Sequence, residues 1–498
     1  MSTRTAKAAS ALPSPPFYYP PHIKRAHAEI LMTGGLLVLS IAAAAGMSMG
    51  QAFWLAAAAL VTAGVWLYPR TALALLLWAL PFLPVFKAAR FAEPVSLVKD
   101  VVIVALFVHV VLLPWLIGFL PYRRNPLWGL LILLPIWGGV GLALAPSKAL
   151  GLVRWRDTVL YLLLALVVLY LWRRRELPYL RSILVGSLSL ALVLALLQAA
   201  FWPQGLVLRQ LPVWQIWVPR LSGTLGHPTT FGQGMLLLAG LTLGRALFAR
   251  KRAYLFCAAA ATLAAVGTFS RTVWLGLAVI WAGIFLLSWM QRGERKKIAL
   301  FVLAAVLLGG GALLYAPLRH FGQSWLSWQY GSNQARWAIW GEVTREAEGW
   351  RLWFGSGLGA PRFLVSETER RGGELEGAHL FGRAAEVRVA KGQTLVDNQW
   401  LKLVVEQGML GLAFWLTLQV SVLVLGWRVV RQLFAGGRKT AKVAALAAGI
   451  WLYLLVFFLQ SPFVDIWDLV PPVAWWWLGV GVLLKLIHPP LSRLPAAG

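Results

Sequence analysis

Runs of about twenty apolar residues recur along almost the whole chain, separated by short connections crowded with arginine and lysine. A helix needs about 20 mostly apolar residues to cross a bilayer. Within lipid only helices and closed barrels satisfy their own backbone. The pattern therefore predicts a polytopic membrane protein of the all-α class. The candidate runs are 29–48, 52–68, 71–86, 97–119, 127–146, 157–172, 182–202, 229–248, 253–269, 272–290, 297–316, 408–427, 441–460 and 470–487, about fourteen spans. Composition agrees: 13% of the 498 residues are charged and 59% are hydrophobic, whereas soluble domains carry about 25% charged residues.

The charges predict an orientation. With a cytoplasmic amino terminus, the inner connections hold Arg70, Arg123-Arg124, Arg173-Arg174-Arg175-Glu176, Arg250-Lys251-Arg252, 291–297 and 428–442. Nearly all are dense in Lys and Arg, as the positive-inside rule requires. The outer connections are then 87–96, 147–156, 203–228, the turn at Ser270, 317–407 and 461–469, and both termini are cytoplasmic. Lys148, Arg154 and Arg156 are the main exception. The net charge of +28 is thus a signature of topology. It does not point to nucleic acid, because no basic patch lies on a soluble domain of sufficient size. The expected organisation is a disordered basic tail over 1–28, spans over 29–316, an outer lobe over 317–407, and the last three spans with a short tail over 408–498.

Cys257, the only cysteine, lies inside an apolar run, which excludes an intramolecular disulfide and a thiolate metal site. No Asp-x-Asp element or histidine cluster is visible, so neither a metal nor a cofactor is expected. In the outer lobe, QARWAIWGEVTREAEGW (334–350) repeats Trp337, Trp340, Val343, Ala347 and Trp350 at helical spacing, an amphipathic helix for the membrane interface. LWFGSGLGAPRF follows as a glycine-rich turn. Its GSGLG lacks the GK[ST] ending of a phosphate loop. Residues 360–392 are expected to cover a site as a lid.

Several polar residues fall on the outer side of this topology. Arg220 precedes SGTLGHP, a loop with His227 that opens a span. Ser270-Arg271 sits in a tight hairpin between two spans. Arg336 heads the interfacial helix. Asp397-Asn398 precedes a span, with Glu406 about two turns on. Each has a plain structural reading: a snorkelling or solvated arginine, a loop histidine, a helix cap at Asp397-Asn398. Together they read as cations gathered for an anion borne by a lipid, since guanidinium matches phosphate oxygens bidentately. Asp397 is the one plausible base among these positions. A transporter or flippase for anionic lipids would instead place ionisable groups at mid-bilayer, where Asp100 and His109 are the candidates.

The series SGTLGHPTTFGQGMLLLAGL, FSRTVWLGLAVIWAGI, RWAIWGEVTREAEGWRLWFGSGLGA and DNQWLKLVVEQGMLGLAFWL resembles the O-antigen ligase and O-antigen polymerase superfamily over about 215–425. The resemblance implies an all-helical, GT-C-like glycosyltransferase with one periplasmic lobe in the bacterial inner membrane. Such an enzyme takes a glycan from undecaprenyl diphosphate and transfers it with inversion, without metal or nucleotide. It implies Arg271 and Arg336 as the diphosphate-engaging arginines, while Asp397 as catalytic base rests on its being the one plausible base among these positions. Arg220, His227, Ser270, Asn398 and Glu406 would form the substrate site. Ligases of the family carry His-Asn where this chain has Asp397-Asn398. That departure favours a polymerase joining lipid-linked repeat units over a ligase acting on lipid A-core. The expected partners are the undecaprenyl-diphosphate-linked oligosaccharide, membrane lipids, and other assembly proteins such as a flippase or chain-length regulator.

Overall fold

A computed structural model describes residues 59–86, 92–117, 127–202, 207–211, 216–248, 251, 253–289, 341, 349–360, 398–436, 440–464, 467 and 469–487. The predicted runs within these residues are helices. They are α1 (Pro69–Ala79), α2 (Leu83–Phe86), α3 (Ala92–Phe107), α4 (Leu113–Leu116), α5 (Trp128–Leu144), α6 (Lys148–Leu171) and α7 (Leu177–Phe201). After a hairpin come α8 (Pro228–Phe248), α9 (Ala253–Val266), α10 (Arg271–Trp289), the short α11 (Trp350–Phe354), α12 (Gln399–Ala435), α13 (Ala441–Gln460) and α14 (Val470–Ile487). Among the described residues, seven helices are long and apolar enough to cross a membrane, and the chain is a multi-pass membrane protein. The expected runs 29–48 and 297–316, and the first part of 52–68 (52–58), lie outside the described residues; 59–67 is helical.

One element departs from the all-α expectation. Val207–Leu211 (β1) pairs antiparallel with Ile216–Arg220 (β2), Val207 opposite Arg220. Ile216, Trp217 and Val218 favour a strand, and each strand is only five residues long.

The core forms around α8, which is buried on nearly every side, as expected of a helix without a polar face. Small residues permit this. Gly240 of α8 and Gly449 of α13 cross so closely that a Cβ on Gly449 would lie 2.8 Å from the Gly240 carbonyl oxygen, the close backbone approach that small residues give membrane helices. By contrast α7 presents Leu190, Val193, Leu194, Leu196 and Leu197 outward, the surface a lipid-facing helix needs. Between α12, α13 and α14, the ring of Trp467 stands 4.6 Å from Trp415, 4.9 Å from Trp476 and 5.2 Å from Phe457. These edge-on contacts seat the 461–469 connection on the bundle.

The exceptional cations of 147–156 have local causes. α6 begins at Lys148, earlier than the predicted span at 157, so these residues are its first turns. Lys148 donates to the carbonyls of Ala143 at 2.6 Å and Ala145 at 3.1 Å, capping the end of α5 where a cation is favoured. Arg156 pairs with Asp157 at 2.8 Å and with Asp100 at 3.5 Å, while Asp100 also holds buried Lys99. Asp100 is therefore neutralised within this cluster.

Candidate functional site

The hairpin between α9 and α10 gathers three distant segments. Its turn is closed by Thr268 N to Ala265 O (3.2 Å) and Phe269 N to Val266 O (3.0 Å). Phe269 sits at φ 48°, a left-handed conformation that a bulky residue adopts only when its surroundings enforce it. The enforcing partner is the end of β2. Leu221 N donates to Gly267 O at 3.0 Å, and Arg220 Nε donates to Thr268 O at 2.7 Å. Arg220 is thus a neighbour of the turn that leads into Ser270-Arg271. Ser270 is buried, its Oγ 3.1 Å from Thr272 Oγ1, and its carbonyl accepts from Trp274 N at 3.0 Å, which starts α10 at Arg271.

The Asn398 segment joins through the end of α13. Gln460 Nε2 donates to Thr272 O at 2.5 Å, and Gln460 Oε1 accepts from Gln233 Nε2 at 2.5 Å. The next residue, Ser461, accepts from Gln399 N at 2.9 Å through its carbonyl. Two consecutive residues therefore connect α8, the first turn of α10 and the start of α12. Asn398 caps α12, Oδ1 accepting from Leu401 N at 3.0 Å, so its amide serves the helix start as the cap reading expects. Lys402, one turn further, is buried and adds a cation that the sequence reading did not single out. Asp397 and Arg336 lie outside the described residues.

His227 precedes α8. Its Nδ1 accepts from Thr229 N at 3.3 Å and its carbonyl from Phe231 N at 2.9 Å. The imidazole is exposed and caps the helix, with its proton assigned to Nε2.

Glu406 has a positioning task. α12 breaks at Gly408, with φ 72° and ψ −177°, because the turn after α11 crosses there. A Cβ on Gly408 would collide with the Trp353 carbonyl. Residues 355–360 form a strap: Ser356 N donates to Val405 O (2.7 Å), Gly357 N to Glu406 O (3.1 Å) and Leu358 N to Gly141 O (2.9 Å). Glu406 Oε1 accepts from Gly359 N at 3.0 Å. The glycines of GSGLG answer this need, Gly355 and Gly357 both adopting positive φ against neighbouring backbone. The 399–407 stretch, assigned by sequence to the outer lobe, is the first helical piece of α12. Gln460, Ser461, Thr268 and Gln233 were also missed. A glutamine inside the apolar run FFLQSP was the available signal, since polar residues within a membrane span are expensive and need partners.

Fold and site define a multi-pass helical membrane protein with arginine-bearing and carboxamide-bearing segments knotted at one end of the bundle. Residues 256–416 match the O-antigen ligase family model, which supports placing the chain in the O-antigen ligase and polymerase superfamily. The matched stretch contains Ser270-Arg271, Arg336, Asp397-Asn398 and Glu406, and ends before the Gln460-Ser461 link. None of the curated proteins matches the chain.

Proposed function

We propose that the protein is a polysaccharide polymerase of the bacterial inner membrane, working at the periplasmic face on glycans carried by undecaprenyl diphosphate. An acceptor sugar hydroxyl attacks the anomeric carbon of the donor glycan and gives its proton to Asp397. The glycosidic bond to phosphate breaks with inversion, and its electron pair leaves on the diphosphate. Arg220, Arg271 and Arg336 neutralise that growing charge, the kind of stabilisation that contributes most in a water-poor site. No metal or nucleotide enters this scheme. Ser270 and Asn398 shape the two helix starts beside the diphosphate, His227 lines the Arg220 loop, and Glu406 holds the strap.

The observation that carries this reading is the junction of Gln460-Ser461 with Thr272 and Gln399, because it brings the Arg271 helix and the segment after Asp397 to one place. A deletion strain tests it. Loss of a polymerase leaves single repeat units attached to the acceptor, and complementation restores long chains. The ligase reading is favoured by the description of the matching family model. It predicts the opposite phenotype, long chains stranded on the carrier lipid.

A further inference from the structure

The opposite end of the bundle holds a second pair of arginines that the glycosyl-transfer reading does not use. Arg181 lies near the start of α7 and Arg245 near the end of α8, with relative exposures of only 4% and 7%. On each, Nε and Nη1 are buried and make no hydrogen bond. The helices that carry them, α7 and α8, pack against each other, and the two like charges oppose one another. The Tyr254 ring, 5.9 Å from the Arg181 guanidinium, supplies a π face but no negative charge.

No described carboxylate answers this need. Glu176, the acid closest in sequence, is occupied by Arg70 at 3.1 Å and by the backbone N–H of Arg173 at 2.9 Å. Asp100 and Asp157 hold Lys99 and Arg156, and Glu406 holds Gly359. Guanidinium stays charged at any physiological pH, so the pair cannot escape repulsion by losing a proton. Two buried like charges with unused donors are retained when an anion completes them.

We propose that Arg181 and Arg245 form an anion site for a phosphate group, at the end of the bundle opposite Arg220 and Arg271. The paired guanidinium forks match the tetrahedral oxygens of a phosphate monoester or diester better than a halide. The phosphate belongs to an anionic phospholipid headgroup or to a free phosphate in solution.

The test follows thermal unfolding of the purified full-length chain by tryptophan fluorescence. One arm adds inorganic phosphate in lipid-free detergent. The other compares nanodiscs of phosphatidylglycerol with nanodiscs of phosphatidylcholine. A ligand bound only by the folded chain raises its melting temperature with concentration. The expected result is such a rise in the wild type and in Arg271→Ala, lost when Arg181→Gln and Arg245→Gln are combined. A rise with free phosphate identifies a soluble anion, and a rise with phosphatidylglycerol alone identifies a lipid headgroup. No rise with either probe overturns the proposal, as does a rise that survives the glutamine pair or vanishes only in Arg271→Ala. If the glutamine pair fails to fold, Arg181→Lys keeps the charge without the fork. A weakened response there supports the site, and an undiminished one contradicts it.

Discussion

Arg220 and Thr268, forty-eight residues apart in the chain, are joined by a 2.7 Å hydrogen bond from Nε to the carbonyl oxygen. The bond fixes the end of β2 to the turn that starts the Arg271 helix. Replacing Arg220 with alanine orphans a carbonyl in a turn that already carries the strained Phe269, which should cost about 1–3 kcal/mol. A lowered melting temperature together with lost polymer is expected. Wild-type melting in Arg220→Ala would show that the bond does not hold the turn.

Arg271→Ala should behave differently. Its backbone starts α10 whatever side chain it bears, so insertion and melting should remain normal. Transfer should fall by roughly 10²-fold or more, the scale for removing one donor from a preorganised anion site. Initial rates of chain growth, normalised to folded protein, measure this. Normal rates would remove Arg271 from the site.

Gln460→Leu should uncouple the two halves of the site. It leaves the Gln233 amide and the Thr272 carbonyl without their partner in an apolar surrounding, at a cost of about 1–3 kcal/mol. Both stability and activity should drop, and Gln460→Glu should not rescue either, since it loses the donor to Thr272. Unfolding curves of the two variants, compared with wild type, check the point.

The strap yields a paired prediction. Glu406→Gln keeps an acceptor for Gly359 N–H and should fold nearly as the wild type. Glu406→Ala leaves that buried amide unsatisfied and should lose about 1–3 kcal/mol. Gly408→Ala should be worse than either, because it adds a Cβ at positive φ against the Trp353 carbonyl. Yields of folded protein from size exclusion rank the three.

The helices were legible because each apolar run carries its own boundary marks. Pro178 near the start of α7, Pro228 at the start of α8 and Ser270 before α10 place helix ends within a few residues. The Arg220, Arg271 and Asn398 segments were also legible as same-side neighbours, since charge alternation fixes which ends of the spans lie together. What joins them was not. Gln460 and Ser461 become partners of Thr272 and Gln399 only through the packing of α13 against α8 and α10, and that packing depends on Gly240 and Gly449, whose pairing no local pattern reveals. The β-hairpin was missed for a related reason: its two short strands lie between long helical signals and are held by the turn at Gly267-Thr268. Glu406 read as a site acid because its backbone partner, Gly359, is distant in sequence.

The central claim is that the gathered arginines serve glycosyl transfer from a lipid diphosphate. The most direct measurement gives purified protein, in detergent, a single undecaprenyl-diphosphate-linked repeat unit. Both the glycan products and the freed carrier are followed. The account predicts a ladder of longer lipid-linked glycans with one undecaprenyl diphosphate released per bond formed, and neither product with Arg271→Ala or Asp397→Ala. Unchanged substrate with folded wild-type protein, or a ladder of equal intensity from either variant, would contradict it.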